Sequence, residues 1–228
     1  MINFACVYYG DKYKVEYVQK LYNMVERHLT IDHKFYVFTD HVKLQKLVEG
    51  DIIVKKFPED DLDGWWNKMQ LFHPDTPLEG TTLYTDLDVV ITGNINCFVE
   101  YEPNADFVGM NDFNPATKGW NSSVMKFKDV SEILWKPFVA DRPNLLRRYP
   151  GDQNLISAQI KDKAGAPSSI KSFPDSWTQS YKWLDRSQTR FHRESWNFEK
   201  SETAKVAIFH GNPKPHESDQ EWVKSNWK

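Results

Sequence analysis

Residues 1–91 alternate short apolar strands with stretches of helical spacing, and that alternation restricts the fold more than any other feature. "INFACVYY" (2–9) reads as a buried strand closed by Gly10 and Asp11. Asp11 is placed to cap a helix in which Val15, Val18, Tyr22, Val25 and Leu29 keep helical spacing. "KFYVFTD" (34–40) and "DIIVKKF" (51–57) are further strands, and "GWWNKMQLF" (64–72) is a short helix with Trp65, Met69 and Phe72 on one core-facing side. "LYTDLDVVI" (83–91) completes the series as an apolar strand. This βαβ-like order predicts an α/β fold with a mixed, mostly parallel central sheet flanked by helices.

The second half is less regular. "ADFVGM" (105–110) and "SSVMKF" (122–127) read as strands around a loop, "VSEILWKPFVA" (130–140) as a helix ending at Asp141-Arg142-Pro143, and "GDQNLISAQI" (151–160) as a helix capped by Asp152. "KAGAPSS" (163–169) reads as a turn, "AKVAIFH" (204–210) as a last strand, and Glu217 to Lys228 as a charged surface tail. No linker, repeat or low-complexity tract interrupts the 228 residues, so one domain over 1–228 is expected.

Charge argues against polyanionic partners. The 29 Lys and Arg stand against 32 Asp and Glu, a net −3, so neither nucleic acid nor an anionic membrane is favoured. No run reaches the roughly 18 apolar residues of a membrane span. The opening "MINFACVYYG" lacks a basic leader and reads as a strand, so a cytoplasmic location is expected. Cys6 and Cys97 lack metal-ligand spacing and read as buried free thiols near strands. Asn121-Ser122-Ser123 matches a glycosylation sequon that a cytoplasmic chain does not use.

The chemistry starts at "LYTDLDVVI". Asp86 and Asp88 are two positions apart, so on a strand they share one face, where two ionised carboxylates repel each other and lose hydration. A divalent cation converts that penalty into binding energy. A second signal is "FHGNPKPHE" (209–217), where His210 offers an imidazole ligand and Lys214 a mobile cation beside glycine-opened backbone at Gly211. Tyr8, Tyr9 and Asp11 are candidates for stacking a nucleobase and binding ribose hydroxyls. Tyr181 and Lys182 are weaker candidates for a phosphate or acceptor contact, Asp40 reads as a turn former, and Arg147 and Arg148 as solvated.

Taken in order, these segments resemble the nucleotide-sugar-dependent glycosyltransferases of the GT-A fold, in the retaining group that includes glycogenin and bacterial galactosyltransferases. The matching stretches are "CVYYGDKY", "WWNKMQLF", "LYTDLDVVI", "GWNSSVMKF", "GDQNLIS" and "HGNPKP", which together span most of the chain. The resemblance implies Asp86, Asp88 and His210 as ligands of Mn²⁺ or Mg²⁺. It also implies Lys68, Asp86, Ser122, Gly211 and Lys214 as donor contacts beside Tyr8, Tyr9 and Asp11. Asn121, Asp152 and Gln153 would stand at the reacting sugar. The implied reaction is transfer of a hexosyl unit from a UDP-sugar to a glycan or other hydroxyl acceptor, with retention. The chain departs from the family in three places: His210 and Lys214 are two residues closer than usual, Asn-Ser-Gly becomes Asn-Ser-Ser, and His216 replaces an aromatic residue.

Other readings fit parts of the pattern. An aspartyl-phosphate phosphatase uses an Asp-x-Asp, but after an early strand and without a distal His and Lys. A nucleotidyltransferase would carry a Gly-rich N-terminal loop that is absent here. A non-catalytic nucleotide-sugar or carbohydrate-binding module of the same fold is the remaining alternative.

Overall fold

The computed structural model describes residues 1–114, 119–162, 169–182 and 198–228, with the side chains of 161 and 162 left aside. Seven strands form the central sheet, in the order β3-β2-β1-β4-β7-β6-β8. They are β1 (Ile2–Tyr8), β2 (His33–Thr39), β3 (Ile52–Lys56), β4 (Thr82–Thr85), β6 (Phe107–Asn111), β7 (Trp120–Phe127) and β8 (Ile170–Ser172). Only β7 runs antiparallel to its neighbours, β4 and β6. β5 (Val89–Ile91), β9 (Thr178–Ser180) and β10 (Val206–Ile208) form a second sheet in the order β5-β10-β9.

The near-continuous apolar runs of β1 and β2 are buried on both faces, as a parallel sheet covered on both sides requires. Phe4, Cys6 and Phe35 pack toward α1 (Glu16–His28) with Leu21, Met24 and the second sheet. Ala5, Tyr36, Phe38 and Tyr84 face the opposite layer. That layer contains the 3₁₀ helix Gly64–Phe72, α3 (Ser131–Ala140) and α5 (Asp152–Asp162). The mixed, mostly parallel sheet flanked by helices agrees with the sequence expectation.

"LYTDLDVVI" is not one strand. β4 ends at Thr85 and β5 begins at Val89, so Asp86, Leu87 and Asp88 form the turn that carries the chain from the large sheet to the small one. The two carboxylates therefore sit at a junction rather than on one strand face. The strand signal was correct on both sides of the break, because both halves are buried.

Other expectations are corrected as well. Asp11 does not cap α1, which starts five residues later behind Val15 without a side-chain cap, and Asp11 is exposed. Trp65 does not join Met69 and Phe72 in the core: it is 61% exposed, because a 3₁₀ helix turns faster than the α-helical spacing assumes. Cys97 is only partly buried and lies in the short α2 (Asn96–Glu100), whereas Cys6 is fully buried. Arg142-Pro143 opens another helix, α4 (Arg142–Arg148), since proline is tolerated in a first turn. The tail is not a free surface segment: α6 (Glu221–Asn226) buries Val223, and Trp227 packs on Tyr17. The turn expected at "KAGAPSS" lies, but for Ser169, outside the described residues.

Candidate active site

The cavity that collects the chemistry lies at the carboxyl ends of β1 and β4 and the amino end of β7. Open α/β sheets place their ligands at such an edge. Its volume of about 660 Å³ falls within the roughly 300–1,000 Å³ of small-molecule sites. Asp86, Asp88, Asn121, Ser122, Asp152, Gln153, His210, Gly211 and Lys214 all line it, as do Tyr9 and Lys68. Tyr8 and Asp11 do not: Tyr8 is buried and stacked on His41, with ring centroids 4.5 Å apart. Sequence reasoning missed Lys12, Tyr13 and Tyr84 on the cavity wall. Tyr13 carried a signal, since it sits in the same turn as Gly10 and Asp11.

Strand pairing explains how distant segments meet. β10 runs antiparallel to β5, with Ile208 opposite Val89, so the residues beyond β10 stand beside those preceding β5. The ladder continues as Phe209 N–H donates to the Asp88 carbonyl at 3.0 Å. Gly211 then turns the chain with φ of +69°, a conformation that glycine adopts without strain. The turn returns Lys214 to Asp88, with which its ammonium forms an ion pair while also donating to the Phe209 carbonyl at 3.1 Å. Tyr13 donates to Asp88 Oδ2 at 2.9 Å, and burial beside this carboxylate pushes the phenol pKa up.

Asp86 belongs to a second cluster. Lys68, almost completely buried, places its ammonium 2.9 Å from Asp86 Oδ1 and 3.1 Å from Asp152 Oδ2, and donates to Ser122 Oγ at 2.9 Å. Ser122 Oγ in turn donates to Asp152 Oδ2 at 2.9 Å, and Tyr84 to Asp86 Oδ1 at 2.6 Å. Burial alone would pull the Lys68 pKa down, but Asp152 and Asp86 outweigh it and hold the ammonium firmly charged. Burial likewise pushes Asp86 up, and Lys68 and Tyr84 more than offset that push. Lys68 thus ties two carboxylates from different elements together instead of reaching into the cavity as a lone cation.

His210 pairs through Nε2 with Ser180 Oγ at 2.6 Å and stacks on Phe113. Burial, with Lys182 and Lys214 nearby, lowers its pKa to about 4, so the imidazole is neutral at pH 7, the form in which imidazole ligates metals. Lys182 and Tyr181 are buried and do not line the cavity, and Tyr181 stacks on Phe209 at 4.0 Å. Gln153 accepts from Ser122 N–H at 3.4 Å and donates to Asp112 Oδ2 at 2.7 Å. The Asn121 side chain accepts from Ser123 N–H at 2.9 Å and is mostly buried on the cavity wall.

Whether a divalent cation suits this wall is a matter of donors and charge. Two carboxylates and a neutral imidazole are an appropriate hard-to-borderline set for Mn²⁺ or Mg²⁺. Lys12, Lys68 and Lys214 balance Asp86, Asp88 and Asp152 on the lining, so a bound diphosphate would arrive with its charge uncompensated unless a cation came with it. The donor set fits. Among the described residues, however, no three such groups stand close enough to hold a metal as they are placed, and the two aspartates are engaged by lysines.

No family model and no curated protein matches the chain by sequence. Solved structures do match. The glycosyltransferase GlyE of Streptococcus pneumoniae TIGR4 aligns with a TM-score of 0.70 at 16% identity, over 98% of this chain and 60% of that one. The galactosyltransferase LgtC, solved with donor and acceptor sugar analogues, aligns at 0.64 with 12% identity, over 100% of this chain and 97% of that one. Mouse xyloside xylosyltransferase 1 aligns at 0.56 with 13% identity, over 92% and 97% of the two chains. The chain thus spans 60% of the GlyE chain and nearly the whole length of LgtC. At these identities the likeness speaks for architecture, and the architecture is the GT-A fold of glycosyltransferases.

Proposed function

We propose that the chain is a metal-dependent glycosyltransferase that moves a hexosyl unit from a UDP-sugar to an acceptor hydroxyl, with retention, as a single cytoplasmic domain. One observation carries this reading. Asp86, Asp88, Asn121, Asp152, Gln153, His210 and Lys214 come from separate segments and line a single cavity at the ligand-binding edge of a GT-A sheet. The rival phosphatase reading gives no role to the His210–Lys214 side of that cavity.

Asp86, Asp88 and His210 would hold Mn²⁺ or Mg²⁺, which when bound neutralises charge developing on the departing diphosphate. Lys214 would leave Asp88 for the diphosphate, where a mobile ammonium stabilises the leaving group. Asn121 and Ser122 would bind donor hydroxyls. Asp152 and Gln153 would face the anomeric centre, whose transition state is oxocarbenium-like. Asp152 Oδ2 already accepts from Lys68 and Ser122, which suits a charge-stabilising and orienting role better than that of a base for the acceptor. Tyr9 and Tyr13 would flank the nucleotide.

UDP release from UDP-galactose, UDP-glucose and UDP-N-acetylglucosamine, with Mn²⁺ and water as acceptor, tests the reading. Slow release of UDP from at least one donor is expected. No UDP from any donor, with phosphate or pyrophosphate formed instead, would contradict it.

A further inference from the structure

Among the described residues, Trp65 is the largest apolar side chain that lines the cavity and stays exposed. It is 61% exposed, whereas Trp66 beside it stacks on Phe138 at 6.2 Å and fixes the helix to the core. Trp65 lines the same cavity as Asp152 and Gln153. It also stands directly over Gly151: a Cβ built on Gly151 would lie 3.2 Å from the indole Nε1 and 3.5 Å from Cδ1. The absence of a side chain at Gly151 therefore lets the indole sit against the turn that presents Asp152. Three residues on, the same helix carries Lys68, whose ammonium grips Asp152 and Asp86. The 3₁₀ helix thus meets the Gly151–Asp152 turn at two points, through the indole and through the Lys68 ammonium.

We infer that Trp65 is the platform for the acceptor, and that the acceptor is a pyranose whose apolar ring face stacks on the indole beside Asp152. The inference rests on the glycosyltransferase reading and adds the acceptor class to it. An indole presents a flat, electron-rich face to the polarised C–H bonds of a sugar ring and needs little side-chain ordering to do so. The contact of the indole with Gly151, one residue before Asp152, favours acceptor over nucleobase, for which Tyr13, bonded to Asp88, is the better-placed ring.

Saturation-transfer NMR on the full chain with diamagnetic Mg²⁺, UDP and a panel of methyl glucosides, methyl galactosides, lactose and maltose tests the platform and the acceptor class separately. In the parent protein, UDP protons and the ring protons of at least one pyranoside should receive saturation. In Trp65→Ala the pyranoside signal should fall at least fivefold while the uracil signal persists. Gly151→Ala, which crowds the indole without removing it, should weaken the pyranoside signal to an intermediate level. Loss of the uracil signal in Trp65→Ala would make Trp65 a base platform and overturn the inference. A panel with no Trp65-dependent pyranoside signal would overturn it too. Absence of any UDP signal in the parent protein would instead refute the donor reading.

Discussion

Lys68 ties the site together at the scale of single residues. Its one ammonium serves two carboxylates, and both it and Asp152 are nearly removed from water. Breaking a buried ion pair from one side leaves a charge without a partner, which costs about 3 kcal/mol or more. Lys68→Met should therefore lower stability by on the order of 3 kcal/mol, read as a lower urea midpoint with an unchanged slope. A shift under about 1 kcal/mol would mean that Asp86 and Asp152 recover hydration through the cavity. Lys214 makes a different prediction, because its bond to Asp88 is one that a ligand can replace. Lys214→Ala should weaken UDP binding by about tenfold or more, roughly 1.4 kcal/mol, with the far-ultraviolet circular dichroism preserved. An unchanged dissociation constant would leave Lys214 only as the partner of Asp88.

At the scale of elements, the segment after β10 does two things: it returns Lys214 to the site and closes the core with α6. Trp227 is buried against Tyr17, and Lys20 lies 3.7 Å over its ring, so the end of the chain is structural. Trp227→Ala should cost roughly 3 kcal/mol, the loss expected of a buried aromatic, in chemical denaturation. The sequence disclosed those elements whose evidence is local. β1 and β2 were legible because both of their faces are apolar, β3 because it opens on Ile52-Ile53-Val54, and α1 because its apolar positions keep a helical period. β8 and β9 were not, since "IKS" and "TQS" are strands only through their pairing with β6 and β10. The break at Asp86–Asp88 was hidden for the same reason: local pattern cannot say that Val89 pairs in a different sheet from Thr85. Trp65 was misplaced because a 3₁₀ turn and an α turn share a sequence pattern while pointing their side chains differently.

At the scale of the whole molecule, one topological event places the chemistry. The chain leaves the seven-stranded sheet after Thr85 and joins the three-stranded sheet at Val89. That crossing puts Asp86 in the Lys68–Asp152 cluster of the large sheet and Asp88 in the Tyr13–Lys214 cluster of the small one. Two like charges that would repel on a single strand are thus separated into two compensated environments on one cavity wall. Asp86, Asp88, His210 and Lys214 were legible from residue type and order. The lysine partners of the aspartates were not, because each pairing depends on backbone register between distant elements.

On the proposed function, this wall binds a nucleotide diphosphate together with a divalent cation. Isothermal titration of UDP into the full chain, with Mn²⁺ present and again after chelation, tests it most directly. Binding at least about tenfold tighter with Mn²⁺ is expected, with loss of that metal response in Asp88→Ala. UDP binding of equal strength with and without metal, or a metal response that survives Asp88→Ala, would contradict it.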